Sequence, residues 1–268
     1  MKAMILAAGL GTRLRPLTDD LPKALVELNG RTLLEITLSR LRTFGVNEVI
    51  INVHHFADMV VDYLKSKNNF GMRIEISRED DLLLDTGGGL KKAAWFFLDQ
   101  ARHSPLATRH SPAEPFLLHN VDVISNINLG RMLQFHKEND ALTTLAVQSR
   151  ETSRPLLFDD QNQLRGRRID NKDSVIPSEA NPLPLSASSS QRNLSSIPLH
   201  VLAFSGIHII SPRLLPMLTE EGIFSIIPSY LRLAAKGEKI LAFRSDQYYW
   251  RDLGKPADLA QAAQDMPL

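Results

Sequence analysis

Short β-branched runs alternate with helix-spaced apolar positions through the first half of the chain. Met4 to Ala7 reads as a buried strand. Leu33, Leu34, Thr37, Leu38 and Leu41 recur at helical spacing, and Gly45 stands where a C-terminal cap of positive φ is needed. Val49 to Val53 predicts a second strand, and Phe56, Met59, Val60, Tyr63 and Leu64 trace a second helix face. Met72 to Ile76 alternates as a third strand, Gly87 to Leu98 starts loose and becomes helical, and Phe116 to His119 is a fourth strand. Strands alternating with helices imply parallel strands joined by right-handed crossovers. The expected class is therefore α/β, a Rossmann-like open sheet, mixed but mainly parallel and flanked by helices. Ligands of such sheets collect beyond the carboxyl ends of the strands.

The second half is less regular. Leu142 to Val147, Pro155 to Phe158, Leu164 to Ile169, Val201 to Ile210 and Lys239 to Phe243 read as strands, with helical patterns around Leu214 to Leu218, Ile226 to Ala235 and Pro256 to Ala263. No boundary divides the pattern, so residues 1–268 are expected to form a single domain. Ser174 to Pro198 is rich in Ser and Pro without periodicity and reads as a flexible loop. Between Gln100 and Pro115, Arg102-His103-Ser104-Pro105 returns as Arg109-His110-Ser111-Pro112, which reads as a solvated insertion between a helix and a strand.

Composition narrows the chemistry. A formal net charge of +1 gives no electrostatic case for a nucleic-acid or membrane partner, so any cationic site must be local. The absence of cysteine excludes disulfides, thiolate zinc sites and cysteine nucleophiles. Lys2 precedes a short apolar run, Ala3 to Ala8, but the run is too short for an export signal and Arg13 and Arg15 follow it. No stretch reaches the roughly 18 apolar residues of a membrane span. The expectation is a soluble cytoplasmic protein.

The candidate chemistry lies directly after the first strand, in Leu6-Ala7-Ala8-Gly9-Leu10-Gly11-Thr12-Arg13-Leu14-Arg15-Pro16-Leu17-Thr18. Glycines there let a backbone approach phosphates and turn N–H groups toward them. Arg13 sets a cation beside the same anion, and Lys23, after Pro22, supplies a second. A dinucleotide-binding turn would need a small residue where Leu14 stands, and a P-loop would need Gly-Lys-Ser/Thr, which is absent. A tight turn with a solvated basic run is the bland alternative for Gly-x-Gly alone. The longer string with Lys23 favours phosphate binding.

This string resembles the signature of the sugar-1-phosphate nucleotidylyltransferases, a family of glycosyltransferase-A-like fold. Further pieces match in the family's order. Asp85-Thr86-Gly87-Gly88-Gly89-Leu90 resembles its second glycine turn, which contacts the base; Asn120-Val121-Asp122 resembles its metal-binding strand end; Trp250-Arg251-Asp252-Leu253-Gly254-Lys255-Pro256 resembles its late motif, whose aspartate is a second metal ligand. The resemblance implies nucleotide contacts from Leu6, Ala7, Ala8, Gly9, Gly11, Thr12, Arg13, Lys23, Thr86, Gly87 and Gly88, with Arg13 and Lys23 also catalytic. It implies Mg2+ on Asp122 and Asp252, which suits an ion that takes one or two carboxylates plus phosphate oxygens and water.

The implied reaction joins a nucleoside triphosphate to a sugar 1-phosphate and releases pyrophosphate. A phosphomonoester is mostly dianionic at neutral pH, its second pKa being about 6, so no protein base is required. Asn52-Val53-His54-His55-Phe56 and Phe204-Ser205-Gly206-Ile207 resemble short members of the family. Among these, UTP with N-acetylmuramate 1-phosphate, as in cell-wall recycling, is the preferred pair, and a mannose- or glucose-1-phosphate enzyme is the alternative. His54, Asn120 and Gly206 are the sugar-side candidates, while His119 reads as a satisfied buried residue. Arg150 and Arg154, flanking Glu151-Thr152-Ser153, are candidates for a lactyl carboxylate, against the alternative of a surface salt-bridge cluster. A non-catalytic regulatory homologue would be expected to lose Arg13, Lys23, Asp122 or Asp252, all of which are present. Homo-oligomerisation is left open.

Overall fold

Strand β1 (Lys2–Leu6) is buried on both faces, which is why its sequence is an unbroken apolar run rather than an alternation. Ala3 and Ile5 enter one core and Met4 the opposite one. The computed structural model describes residues 1–98, 114–169, 172–176 and 198–265. After β1 and a small hairpin, β2 (Glu27–Leu28) with β3 (Arg31–Thr32), helix α1 (Leu33–Thr43) begins. Thr32 caps it by accepting the Glu35 N–H at 3.0 Å, and Gly45, at φ 75°, closes it as expected.

Four parallel strands follow the predicted order: β4 (Glu48–Val53), α2 (Ala57–Ser66), β5 (Arg73–Arg78), α3 (Asp85–Lys92), α4 (Ala94–Leu98) and β6 (Phe116–Asn120) complete this half with β1. Helices α1 and α2 cover one face of the sheet, and α3 and α4 cover the other. One element departs from expectation. Gly87, Gly88 and Gly89 are not a loose entry but lie within α3, although glycine is a poor helix former. The 222–224 segment crowds Gly87 and Gly88, and the Asn52 and Glu79 side chains crowd Gly89, so there is no room for side chains there.

The rest of the chain comprises β7 (Val123–Ser125), α5 (Leu129–Glu138), β8 (Thr143–Gln148), β9 (Leu156–Phe158), β10 (Leu164–Ile169), β11 (Lys172–Val175), β12 (His200–Ile210), α6 (Ile226–Ala235), β13 (Ile240–Arg244), β14 (Trp250–Asp252) and α7 (Pro256–Asp265). The helical pattern near Leu214 is a 3-10 segment, Pro212–Met217, interrupted by Pro216. The large sheet runs β11-β10-β9-β12-β6-β1-β4-β5, with β8 and β13 branching beside β12, so it is mixed and parallel through its first half. Ser174 and Val175 pair with Arg167 and Gly166, which corrects the start of the expected flexible loop. Residues 177–197 of that segment, and the repeated Arg-His-Ser-Pro motif, lie outside the described residues. Among the described residues no helix is long and apolar enough to cross a membrane.

Two departures from regularity position the site. Strand β12 shifts register against β8 between Phe204 and His208, around Gly206 at φ 73°. A Cβ on Gly206 would stand 3.0 Å from the Asn120 side chain and from Val123, so glycine admits both the bulge and its neighbours. The second is a separate ribbon in which β14 pairs antiparallel with β7, setting Asp252 opposite Val123.

Candidate active site

The loop leaving β1 is anchored at both ends. Asn52 accepts the Ala7 N–H at 2.8 Å, and Thr18 donates its hydroxyl to the Gly11 carbonyl at 2.8 Å. Gly11 has φ 66°, and the turn Thr12–Leu14 sends Leu14 into the core instead of starting a dinucleotide-binding helix. Between the anchors, the N–H groups of Gly9, Leu10 and Gly11 have no acceptor among the described residues. That leaves a short row of backbone donors at the carboxyl end of a parallel strand, suited to an anion.

Two carboxylates from distant parts of the chain meet beside this loop. Asp122 follows β6, and its carbonyl accepts the Leu253 N–H at 2.8 Å, which fixes the end of the β7–β14 ribbon against it. Asp252 is held by the Gly254 N–H at 2.7 Å. Lys23, buried to 9% exposure, forms an ion pair with Asp122. Arg13 lies 3.9 Å from Asp252, passing over the bare Cα of Gly254, where a side chain would collide with its guanidinium. Burial, reinforced by the charge of Asp122, pushes the Asp252 carboxyl above the usual carboxylate range, against the pull of Lys23, the Gly254 N–H and Arg13.

These groups sit between two cavities. The smaller, about 380 Å³, is lined by the phosphate-loop residues Leu6, Ala7, Ala8 and Gly9, by Lys23 and Thr86, and by Asp122. The larger, about 740 Å³, is lined by Asp252, Gly206, Arg150, Arg154 and Trp250 among others. Asn120 lines both, and the Asp122–Asp252 pair therefore faces one cavity with each carboxylate. Both carbonyls before Gly206 are used here: Phe204 accepts from Arg150 at 2.7 Å and Ser205 from the Trp250 indole at 2.7 Å. The Arg150 guanidinium lies 3.8 Å from the centre of the Trp250 ring, a cation–π contact between two residues that line the larger cavity.

Not every expected residue joins the site. Gly87 and Gly88 donate their N–H groups to the Phe224 carbonyl and line neither cavity, because the 222–224 segment packs directly on them. Gly11 and Thr12 are not part of the nucleotide-side lining, and Thr12 is exposed. His54 meets the Glu79 carbonyl at 2.5 Å and lines neither of these two cavities. His119 is buried as expected, but its Nε2 has no partner among the described residues, so it is not fully satisfied.

Sequence reasoning quoted Asn52 without a role and missed Glu79, which together tie the phosphate loop to α3, and it missed Arg167 and Arg168, which join the larger cavity from β10. The basic run Arg165-Gly166-Arg167-Arg168 was a signal for the latter. Among the described residues, no group of three or more His, Asp or Glu side chains gathers to hold a metal. The two-carboxylate pair nevertheless fits magnesium. It lies beside a phosphate-ready loop that can leave further positions to phosphate oxygens, and the Asp252 carboxyl stays raised despite the nearby Lys23 and Arg13.

The family model described as nucleotidyl transferase matches residues 2–158. N-acetylmuramate α-1-phosphate uridylyltransferase of Caulobacter vibrioides is 52% identical over 93 residues, covering 34% of this chain and 38% of that protein. UTP–glucose-1-phosphate uridylyltransferase of Synechocystis is 26% identical over 277 residues, covering 98% of this chain and 62% of that protein. The chain thus spans less than two thirds of the length of these curated relatives. A crystal structure of UDP-glucose pyrophosphorylase complexed with UDP-glucose superimposes with a TM-score of 0.71 at 16% identity, over 98% of this chain and 97% of that one, and has the same fold.

Proposed function

The chain belongs to the nucleotidyl transferase family, and from that premise we propose that it transfers a nucleotidyl group from a nucleoside triphosphate to a sugar 1-phosphate. The observation that carries this reading is the meeting of two cavities at Asp122 and Asp252, with the phosphate-ready loop on the smaller side. The smaller cavity takes the triphosphate and the larger one takes the sugar phosphate.

A phosphate oxygen of the sugar bonds to the α-phosphorus in line, and the bond to the bridging oxygen breaks. Pyrophosphate leaves with the electron pair. The nucleophile is already dianionic above a pKa of about 6, so the protein's part is positioning and relief of repulsion between two polyanions. Lys23 lines the nucleotide cleft and is placed to meet a phosphate there. Arg13, largely exposed beside Asp252, is placed to draw charge from the leaving phosphates. Magnesium held by Asp122 and Asp252 would supply further neutralisation where the two substrates meet. Asn120, shared by both cavities, orients the groups on either side of the bond being made.

UTP and N-acetylmuramate 1-phosphate are the preferred pair, supported by the 52% identity to the Caulobacter enzyme. The test is pyrophosphate release with magnesium across four triphosphates and a panel of sugar 1-phosphates, comparing the parent with Asp122→Ala. Release with UTP and the muramate sugar, abolished in the variant, is expected. Release with a glucose or mannose 1-phosphate instead would keep the reaction and overturn the pair. Nucleotide binding without release from any pair would favour a regulatory homologue.

A further inference from the structure

The larger cavity contains more positive charge than a sugar 1-phosphate needs at its reacting end. Four guanidiniums line it, from Arg150, Arg154, Arg167 and Arg168. They are not equivalent. Arg150 belongs to the Asp252 end: it lies over Trp250, donates to the Phe204 carbonyl and feels the Asp252 charge, and its buried Nε is unpartnered among the described residues. Arg168 is neutralised by a two-pronged contact with Asp173 at 2.6 and 3.2 Å. Arg165, on the same strand, is taken by Asp159 at 2.6 Å.

Arg154 and Arg167 are different. Neither guanidinium has an acidic or carbonyl partner among the described residues, although their neighbours on β10 all find one. Arg167 is in register with Leu156, and the Arg168 N–H bonds the Pro155 carbonyl at 3.0 Å, so the strand pairing holds the Arg154 segment beside Arg167. Asp252 is the one carboxylate lining this cavity among the described residues, and it stands at the reacting end. Two neighbouring arginines, exposed and without an acidic partner among the described residues, line this cavity for an anionic sugar and suit a second anion on it. The planar fork of arginine matches a carboxylate in two-point contact.

Resting on the proposed nucleotidyl transfer, we infer that the cavity selects a sugar 1-phosphate bearing a carboxylate, and that Arg154 and Arg167 read that group. Arg150 instead steadies the phosphate end. This reassigns the two arginines singled out in the sequence: they serve opposite ends of one substrate.

The test compares N-acetylmuramate 1-phosphate with the same molecule carrying a carboxamide in place of the carboxylate, so only the charge and its oxygen pair change. The readout is the ratio of kcat/KM for acid over amide. A ratio above about tenfold is expected in the parent, as one charge-assisted contact of about 1.5–3 kcal/mol supplies at least that. The ratio should fall toward one in Arg154→Gln/Arg167→Gln, with Arg154→Lys and Arg167→Lys between. A parent ratio near one, or a double variant that loses both substrates equally, overturns the proposal and returns these arginines to general phosphate attraction. Calorimetric binding of the two 1-phosphates separates this from failure of the reaction. A protein that turns over neither but binds the acid at least tenfold more tightly, with that preference lost in the double variant, keeps the subsite and sinks the enzyme. Equal binding of acid and amide sinks the subsite.

Discussion

The side chains of Asn52 and Glu79 are joined in the interior, Nδ2 to Oε1 at 2.7 Å, and through this bond two substrate-facing segments share one anchor. The Asn52 carboxamide oxygen accepts the Ala7 N–H at 2.8 Å, and the second Glu79 oxygen accepts the Leu84 N–H at 2.8 Å, just ahead of α3. Glu79 is 1% exposed and Asn52 3%, so neither bond has water as a substitute. The phosphate loop and the entry to α3 are therefore held at a fixed separation.

Glu79→Gln replaces one acceptor with a donor that faces either Asn52 or Leu84. An unsatisfied buried polar group costs about 1–3 kcal/mol, which should appear in urea melts. Because Ala7 and Thr86 line the nucleotide cleft, KM for the triphosphate should rise several-fold while KM for the sugar phosphate stays near parent. Equal change in both constants would show that the pair only stabilises the fold.

The glycines of α3 give a prediction whose sign is decided by size. Alanine normally stabilises a helix interior by about 1 kcal/mol over glycine. At Gly88, however, an added Cβ would run into the Gly222 carbonyl, and at Gly87 into the Phe224 ring. Overpacking of that kind costs about 1–3 kcal/mol, so Gly88→Ala should lower the melting temperature. Gly9 has nothing within 4 Å of the position a methyl group would take, and should accept alanine with stability changed by less than about 0.5 kcal/mol. A rise in stability for Gly88→Ala would contradict the packing.

The same helix shows where sequence reading succeeds and where it stops. β1, α1 and β4 were legible because a strand buried on both faces must be apolar throughout and a helix buried on one face must repeat, as Ile50 and Leu38 do. The α3 glycines were misread because the groups that crowd them, Gly222, Phe224, Asn52 and Glu79, come from remote parts of the chain. Asp122 and Asp252 were found through a resemblance, since nothing local to either predicts the β7–β14 ribbon that joins them. Asn52 appeared only as part of Asn52-Val53-His54-His55-Phe56 and Glu79 gave no signal, and only the fold makes them partners. Lys172–Val175 was hidden by the Ser- and Pro-rich composition that follows it.

The carboxylate pair should make the protein less stable as pH rises. Asp252 has its folded pKa raised, so the folded state binds its proton more tightly than the unfolded chain. That contribution is complete below the unfolded carboxylate pKa of about 3.9 and is lost as pH climbs through the raised folded value. At neutral pH, Asp252→Asn should therefore raise the melting temperature in the absence of divalent ions while abolishing pyrophosphate release. Magnesium should raise the parent's melting temperature and leave the variant's nearly unchanged. If the variant melts no higher than the parent without magnesium, the electrostatic conflict between Asp122 and Asp252 is not there.

Acid should unfold the protein through a different set of groups. Burial, before any neighbouring charge, lowers His119 and His208 to about 3 and His136 to about 4. All three are nearly inaccessible, with His208 bonded to the Tyr230 hydroxyl at 2.9 Å and His136 to Thr144 at 3.0 Å. Each has a depressed folded pKa, so its contribution is present above the unfolded value of about 6.5 and is lost as pH falls toward the folded one. Each imidazole adds a slope of up to about 1.4 kcal/mol per pH unit in that window. Three together are large against a typical total of about 5–15 kcal/mol. Glu220, held by Arg232 at about 2, begins to lose its contribution only below the ordinary carboxylate range, so the histidine window lies above it. Urea midpoints measured from pH 7.5 to 5 should fall steeply below about 6.5, and His136→Gln should remove about a third of that slope. A profile that stays flat down to pH 5 would mean that the buried imidazoles gain protons without unfolding the chain.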